Sequence, residues 1–374
     1  MLLGLFIMQV LWYSLYMAAP ARRLRRTQKA AGGQEKGAKE ETPGVSVILC
    51  ARNEGYNLAD YLPALLTQDY PTYEIIVVND GSEDDTQDVI ERYMTQDPRL
   101  HTTFVPKGAR VGSTKKLALT LGAKAAQYDY LLLTDADCVP ESDQWIREMV
   151  RGFSNVQGTK DVVLGYGAYF YEKGHVNRLM RYDTLFNGLH YLGAALWGHP
   201  YMGVGRNLAY RKALFFESGG FSHLMANRAG DDDLFVNHVA TKRNTAVVLS
   251  PDSYTWSPTK RTFKEWWQQK RRHLSVSSAY RKATQWQLLF EPQTRGLFYA
   301  TLLSLLIFRP SLTGIICAGG LFLLRWLLQT CIINVSAHRM KQHTFNPLTI
   351  LWFDIVLPLV NLWMLVVPKR QNKW

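Results

Sequence analysis

The chain has 374 residues, 47% of them hydrophobic, and a formal net charge of +12. This length allows about two domains. The basic residues concentrate near apolar segments and no nucleic-acid-binding motif accompanies them, which favours a membrane surface as their partner and argues against nucleic acid. The four cysteines are scattered without paired spacing, so the sequence gives no sign of a disulfide framework.

An apolar segment opens the chain. Residues 1–20 carry no charged side chain and reach the roughly 20 residues that cross a bilayer, so we predict a transmembrane anchor there. Four arginines follow at once, between residues 22 and 26. Because positive charge marks the cytoplasmic side, the N-terminus is expected outside and the rest in the cytoplasm, at a bacterial cytoplasmic membrane. Residues 21–43 are predicted to form a basic, flexible linker.

Strand and helix patterns alternate from residue 44. β-branched runs at 45–50 and 74–79 break into polar residues, and a third apolar run ends at Asp135 and Asp137. Helical spacing is found between and after them, over residues 57–68, 84–94 and 115–126. This order predicts an α/β fold with a largely parallel sheet and right-handed crossovers.

The sequence Asp135-Ala-Asp137 is the most informative motif. Ligands lie beyond the carboxyl ends of strands in such sheets, so these carboxylates would meet a divalent cation that clamps a diphosphate. An isolated Asp-x-Asp is more often a solvated strand end. Here the neighbouring strands also end in acid, and no glycine-rich phosphate loop is present, which favours a metal.

Several motifs in one order resemble family 2 glycosyltransferases of the GT-A fold, a Rossmann-like domain for nucleotide-diphospho-sugar transfer. The resemblance covers about residues 44–283 and rests on Ala51-Arg-Asn-Glu54, Asn79-Asp-Gly-Ser82, Lys115 with Ala118-Leu119, Asp135-Ala-Asp137, Gly203-Val-Gly-Arg-Asn207 and Gly230-Asp-Asp-Asp-Leu234.

The resemblance implies a role for each motif. The nucleotide sugar is expected on Ala51, Arg52, Glu54, Asp80, Lys115 and Asp135. Asp137 is expected to hold the metal, Mg²⁺ or Mn²⁺, while Gly205 and Asn207 are expected on the acceptor and diphosphate side. Lys116, by contrast, is expected to be an ordinary exposed helix residue.

Asp231 is the predicted general base, with Asp232 as the fallback. Aligning Asp233-Leu234 with the family pattern selects Asp231, although Gly230 stands where the family has an acid. The base accepts the acceptor hydroxyl's proton as that oxygen attacks the anomeric carbon, a single displacement that inverts the configuration. The alternative is that these acids only cap the following helix, and both roles can coexist.

Residues 261–290 combine aromatic and basic side chains, which is typical of a helix in the membrane interface. Within them, Gln269-Lys-Arg-Arg-His273 resembles the Gln-x-x-Arg-Trp motif of polysaccharide-extending and ceramide glucosyltransferases, with His273 in place of tryptophan. The resemblance implies that Gln269 and Arg272 contact acceptor and diphosphate. A basic interface helix without catalytic residues is the alternative.

Residues 296–368 are predicted to form a C-terminal transmembrane region of two or three helices. The first apolar stretch, 296–308, is too short to cross a bilayer alone at about 1.5 Å per residue, and Pro310 interrupts it. Arg325 lies within an apolar segment, where a charge is expensive. We expect it to pair with a lipid phosphate or with another helix.

The leading hypothesis is a membrane-anchored inverting glycosyltransferase. It would move one sugar from a nucleotide donor, expected to be UDP-linked, to a lipid or lipid-linked glycan acceptor. A processive polysaccharide synthase is the alternative, disfavoured by the small number of apolar spans and by His273. An inactive membrane scaffold that binds nucleotide is the second alternative, disfavoured by the intact acids.

Overall fold

A computed structural model describes residues 1–31, 42–106, 108–109, 112–155, 158–225, 227, 229–308 and 310–366. The strands are β1 (Val45–Ala51), β2 (Tyr73–Asn79), β3 (Leu100–Phe104), β4 (Tyr130–Leu133), β5 (Val139–Pro140), β6 (Ser154–Asn155), β7 (Gly158–Thr159), β8 (Val162–Leu164), β9 (Gly167–Tyr169), β10 (Leu208–Arg211), β11 (Thr245–Val247) and β12 (Thr255–Ser257).

The α-helices are α1 (Leu2–Trp12), α2 (Ala19–Ala31), α3 (Gly55–Leu66), α4 (Thr86–Met94), α5 (Thr114–Ala125), α6 (Trp145–Arg151), α7 (His175–Leu196), α8 (Lys212–Glu217), α9 (Asp233–Val239), α10 (Phe263–Leu274), α11 (Lys282–Phe308), α12 (Leu312–Arg339) and α13 (Pro347–Val366). A π-helical turn, Tyr13–Met17, joins α1 to α2. A short 3₁₀ turn, Gly205–Asn207, directly precedes β10.

The main sheet has seven strands in the order β11-β8-β10-β4-β1-β2-β3. β1 is parallel to β2 and to β4, with Ala51 opposite Asn79 and Ile48 opposite Leu133. This register brings the carboxyl ends of the three strands to one edge, where the polar motifs begin. The predicted parallel order is confirmed around this edge, while β10 runs antiparallel to both of its neighbours.

The inner strands β1, β2 and β4 are almost fully buried on both faces, which explains their continuous apolar runs. On β1, Val47 and Leu49 pack with α3 and α6, whereas Ile48 packs on the opposite face with α5. Each fully buried side chain of this size contributes about 1.5–3 kcal/mol. A smaller sheet, β5-β12-β9, lies next to the carboxyl edge and carries Tyr169 and Ser257.

The N-terminal helix is longer than predicted. Helical structure continues through the arginines to Ala31, so the first part of the predicted flexible linker is helical. Tertiary contacts explain the difference: Leu24 is buried, Arg22 donates to the Leu15 carbonyl at 2.8 Å, and Arg339 donates to the Ala21 carbonyl at 2.8 Å. The middle of the predicted linker, residues 32–41, lies outside the described residues.

Three helical segments of the described chain are long and apolar enough to cross a membrane: Leu2–Thr27, Leu312–Arg339 and Pro347–Val366. α11 is not one of them, yet it is 27 residues long and packs against α1. The apolar stretch 296–308 is the second half of this helix, and α11 ends before Pro310, as predicted. Glu291 and Arg295 interrupt the hydrophobic pattern in the first half of α11, so the sequence pattern does not reveal the full length of this helix.

Those charges belong to a buried polar cluster that joins α1, α11, α12 and α13. Arg325 contacts Asp354 at 2.7 Å and Gln9 at 3.0 Å, and Arg295 contacts Asp354 at 2.9 Å and Glu291 at 2.7 Å. Of the two partners predicted for Arg325, the helix pairing is the one found. The cluster satisfies its own charges and ties the bundle together.

We expect Asp354→Asn to destabilise this bundle. The change leaves two buried guanidinium groups with fewer counter-charges, and breaking a buried ion pair from one side typically costs about 3–5 kcal/mol. Thermal unfolding of the detergent-purified protein measures the effect. Leu359→Ala, on an exposed part of the same helix, is the control. Equal unfolding temperatures for the two variants would contradict a stabilising role for the cluster.

Candidate active site

Lys115, Asp135 and Asp231 meet beyond the carboxyl edge of the sheet. Lys115 lies in the first turn of α5, Asp135 follows β4, and Asp231 precedes α9. The Lys115 ammonium is 3.0 Å from an Asp135 oxygen and 3.2 Å from an Asp231 oxygen. These groups line a small cavity together with Cys50, Gly205 and Asp232. The structure thus brings donor-side and base candidates into direct contact.

The neighbouring Lys116 is fully buried, so the expectation that it is exposed was wrong. Its ammonium donates to the carbonyls of Leu224, Asn227 and Ala229 at 2.9, 2.6 and 2.7 Å. Lys116 therefore fastens α5 to the loop that leads into Asp231. Nothing in the local sequence signals this role, because its partners lie more than 100 residues away.

The three consecutive acids have different environments. Asp232 accepts hydrogen bonds from the backbone N–H groups of Gly205 and Asp233, each at 2.8 Å, and Asp233 accepts from the Tyr280 hydroxyl at 2.7 Å. Burial, with the charge of the preceding carboxylate, raises the pKa of Asp232 to about 6 and that of Asp233 to about 7. Both residues hold the backbone in place and cap α9.

Asp231 is the acid whose charge is compensated within the cavity. Burial acts to raise its pKa, but the adjacent Lys115 ammonium, a backbone hydrogen bond and the charge of Lys116 together hold the pKa below its ordinary value. Gly230, which replaces the family's acid, has a φ of +86°, and a Cβ there would lie 2.5 Å from Leu234. The turn before Asp231 therefore favours glycine. Asp232 and Asp233 therefore cap α9, whereas Asp231 is the candidate base.

Asp135, Asp137 and Cys138 form an acidic group whose ligand atoms all lie within 4.8 Å of one another. The Cys138 thiol is directed at Asp137, 3.5 Å away, and burial raises its pKa well above the ordinary value, so it stays protonated. Burial and then the charge of Asp135 raise the pKa of Asp137. A hard divalent cation would relieve this repulsion, and two carboxylates are suitable donors for it.

The other predicted nucleotide residues lie at the ends of β1 and β2. The Ala51 carbonyl accepts from the Asp80 N–H at 2.8 Å, and the Asp80 carboxylate accepts from the Thr114 hydroxyl at 2.6 Å. Glu54 is half-buried and Arg52 is exposed. Asp80 is thus connected to the first turn of α5, beside Lys115.

The residues predicted on the acceptor side lie in different environments. Gly205 reaches the cavity through its bond to Asp232, but Asn207 is fully buried. Its amide donates to the Tyr166 and Ser253 carbonyls and accepts from Trp145, so it supports the loop and has no free face toward the cavity. Gln269 donates to the Tyr169 hydroxyl at 3.1 Å. Arg272 is exposed on α10.

A sheet with acid-tipped parallel strands, a bridging lysine and an acid before α9 defines a glycosyltransferase of the GT-A fold. The mannosyltransferase PcManGT from Pyrobaculum calidifontis, solved in complex with GDP-Man and Mn²⁺, has this fold: the TM-score is 0.56 with 18% identity, over 90% of this chain and 99% of that chain. The chain belongs to glycosyl transferase family 21, whose family model matches residues 6–374. The predicted fold and enzyme class are confirmed.

Sequence relatives agree on the chemistry. The probable glycosyltransferase YdaM of Bacillus subtilis (strain 168) is 27% identical over 236 residues, which cover 62% of this chain and 55% of that protein. A poly-beta-1,6-N-acetyl-D-glucosamine synthase of Staphylococcus epidermidis is 33% identical over 108 residues, 29% of this chain and 25% of that protein. The match spans about half of the first relative and a quarter of the second.

Proposed function

We propose that the chain is an inverting glycosyltransferase that moves a single sugar from a nucleotide donor to a lipid or lipid-linked glycan at a membrane. The observation that carries the proposal is the Lys115 ammonium, which bridges Asp135 and Asp231 within one cavity. This contact supports a reaction in which the expected diphosphate side and the expected base side lie a few ångströms apart.

In the proposed step, Asp231 accepts the proton of the acceptor hydroxyl while that oxygen bonds to the anomeric carbon. The bond from this carbon to the diphosphate oxygen breaks, and its electron pair leaves with the nucleoside diphosphate. Lys115 keeps Asp231 ionised and therefore competent as a base. Asp232 acts indirectly, because its carboxylate is occupied by the Gly205 and Asp233 N–H groups.

Asp137, assisted by Asp135, would hold Mg²⁺ or Mn²⁺. When bound, the cation supplies positive charge to the donor diphosphate. The complex of the mannosyltransferase with GDP-Man and Mn²⁺ supports this assignment and makes GDP sugars a donor class to test beside the UDP sugars. Arg52, Glu54 and Asp80, at the ends of β1 and β2, are the proposed contacts to the nucleoside.

A lipid acceptor is supported by a cleft of about 660 Å³ between the first turns of α7, α10 and α13. Its lining includes the polar side chains of His175, Arg178 and Thr349. The rest of the lining is apolar: Val176, Leu179, Phe263, Leu348, Trp352 and Phe353. α10 is held against α7 by Lys270, 2.7 Å from Asp183, and against α13 by Trp267 on Trp363. Such a cleft suits a molecule with a hydrocarbon part and a polar head.

We assign residues 44–260 to the catalytic domain, 261–290 to the interface region and 296–368 to the membrane region, with 1–20 as the start of the anchor. The arginines after the anchor support a cytoplasmic active site, and the bacterial relatives support a bacterial cytoplasmic membrane. Identity with the Staphylococcus synthase favours a processive polymerase as the second candidate. The three candidate spans of the described chain are few for a polymer channel.

A donor panel tests the proposal. Purified protein in native lipid is incubated with UDP and GDP sugars and Mn²⁺ or Mg²⁺, and nucleoside diphosphate release and the mass of the lipid extract are measured. We expect metal-dependent release with one donor class and a product one sugar heavier than its lipid. A long polymer would support the processive alternative, and release without any lipid product would contradict the lipid acceptor.

A further inference from the structure

Arg206 is a cation beside the active site that has no acidic partner among the described residues. It lies in the 3₁₀ turn between Gly205, which bonds to Asp232, and the buried Asn207. Both neighbours are predicted site residues, whereas the arginine is not. An unpaired guanidinium in a partly buried position needs an explanation, since a buried charge is costly without a counter-charge.

The fold holds this guanidinium in a fixed slot. It lies over the Tyr169 ring, 4.4 Å from the ring centroid, and one of its terminal nitrogens donates to the Ser257 hydroxyl at 2.9 Å. Gly167 makes room for the side chain, because a Cβ there would lie 2.5 Å from the arginine Nε. These contacts come from β9 and β12, so the small sheet next to the carboxyl edge builds the slot.

The turn that carries Arg206 is also fixed to the strand that ends in the acidic motif. The Arg206 carbonyl accepts from the Thr134 hydroxyl at 3.2 Å and from the Thr255 hydroxyl at 3.0 Å. Thr134 is the residue before Asp135. The position of the guanidinium relative to the Asp135 and Asp137 carboxylates is therefore set by direct bonds and by a stacked ring, which preorganises it for a ligand.

The slot of the guanidinium adjoins the acidic motif. β12, which carries Ser257, pairs antiparallel with β5, and the first residue of β5, Val139, directly follows Cys138. The contact of Arg206 with Ser257 uses one N–H, and a guanidinium has about five such donors in a planar fork. A planar fork held beside an acidic group of the metal-binding type matches a phosphate oxygen pair in shape and charge.

We propose that Arg206 binds the diphosphate of the sugar donor and is a further catalytic residue of the transfer. Its donors contact the phosphate oxygens as the bond to the anomeric carbon breaks and the electron pair passes to the leaving diphosphate. The proposal rests on the proposed glycosyl transfer. Gln269 then becomes a positioning residue, because its bond to the Tyr169 hydroxyl steadies the ring beneath the guanidinium.

The test compares Arg206→Gln, Arg206→Lys and the control Arg243→Gln, an exposed arginine before the edge strand β11. Calorimetry with Mn²⁺ measures binding of UDP, GDP, UMP and GMP to full-length protein in native lipid, and transfer is measured with the donor that turns over. We expect Arg206→Gln to weaken nucleoside diphosphate binding about tenfold, to leave monophosphate binding unchanged and to lower kcat about a hundredfold. Arg206→Lys should restore part of both, and Arg243→Gln should match the wild type.

Diphosphate affinity and kcat within twofold of wild type in Arg206→Gln would overturn the assignment. Equal loss of monophosphate and diphosphate binding in both Arg206 variants would also overturn it, because that pattern reports a distorted site. Wild-type protein that binds no nucleoside diphosphate would reject it as well. If the wild type binds diphosphates but transfers no sugar, the proposed function fails while the binding comparison still decides the role of Arg206.

Discussion

Asp231→Asn is expected to lower sugar transfer by at least about a hundredfold while nucleotide binding persists. The amide keeps the size of the carboxylate but cannot accept the acceptor's proton at neutral pH. Asp231 is the acid that Lys115 keeps ionised, at 3.2 Å. Single-turnover transfer and, in parallel, calorimetry with UDP or GDP separate the loss of chemistry from a loss of binding.

Asp232→Asn is the matched control, one residue away. Gly205 and Asp233 donate to different oxygens of the Asp232 carboxylate, so the single oxygen of asparagine can keep one of these two hydrogen bonds. We expect a partial loss of activity, far smaller than that of Asp231→Asn, because the base remains. The opposite result, with a large loss only in Asp232→Asn, would move the base by one residue. Equal large losses in both variants, together with weakened nucleotide binding, would indicate that the substitutions disturb the loop as a whole.

The edge of the sheet could be predicted because its determinants are local. Each strand around Asp135 is a continuous apolar run that ends abruptly in polar residues, and parallel strands align these ends. Asp80 and Asp135 accordingly follow β2 and β4, whose carboxyl ends lie at the same edge. The bounds of α3, α4 and α5 agree with the predicted helices to within about two residues, since their apolar spacing follows the helical period.

The features of the fold and site that the sequence did not predict depend on contacts between residues that are distant in the sequence. Lys116 and Asn207 have ordinary local contexts, but both are buried by contacts to carbonyls in other loops. The helix through the N-terminal arginines exists because α7 and α12 pack against it. Among the three acids, the hydrogen bonds from Gly205 and Tyr280 mark Asp232 and Asp233 as structural, whereas Asp231 pairs with Lys115. No local pattern encodes such pairings.

Asp137→Ala is expected to abolish metal-dependent turnover, with a fall of at least about a hundredfold, because a Lewis-acid contact to the diphosphate is worth several kcal/mol. The fold should survive, since Asp137 lies beyond the end of β4 and its one side-chain hydrogen bond among the described residues comes from the adjacent Cys138 thiol. Mn²⁺ titration of turnover and direct Mn²⁺ binding both measure the effect.

Cys138→Ala is the control that distinguishes the residues that bind the metal from a residue that only lies beside it. Its thiol is protonated and directed at Asp137, so its removal should leave Mn²⁺ affinity within a few-fold of wild type, whereas Asp137→Ala should lose measurable binding. Asp135→Ala should weaken metal binding and also release Lys115 from one of its two carboxylates. Wild-type turnover that persists in excess chelator would reject the metal-assisted mechanism, and a loss of Mn²⁺ binding in Cys138→Ala alone would show that sulfur is the ligand.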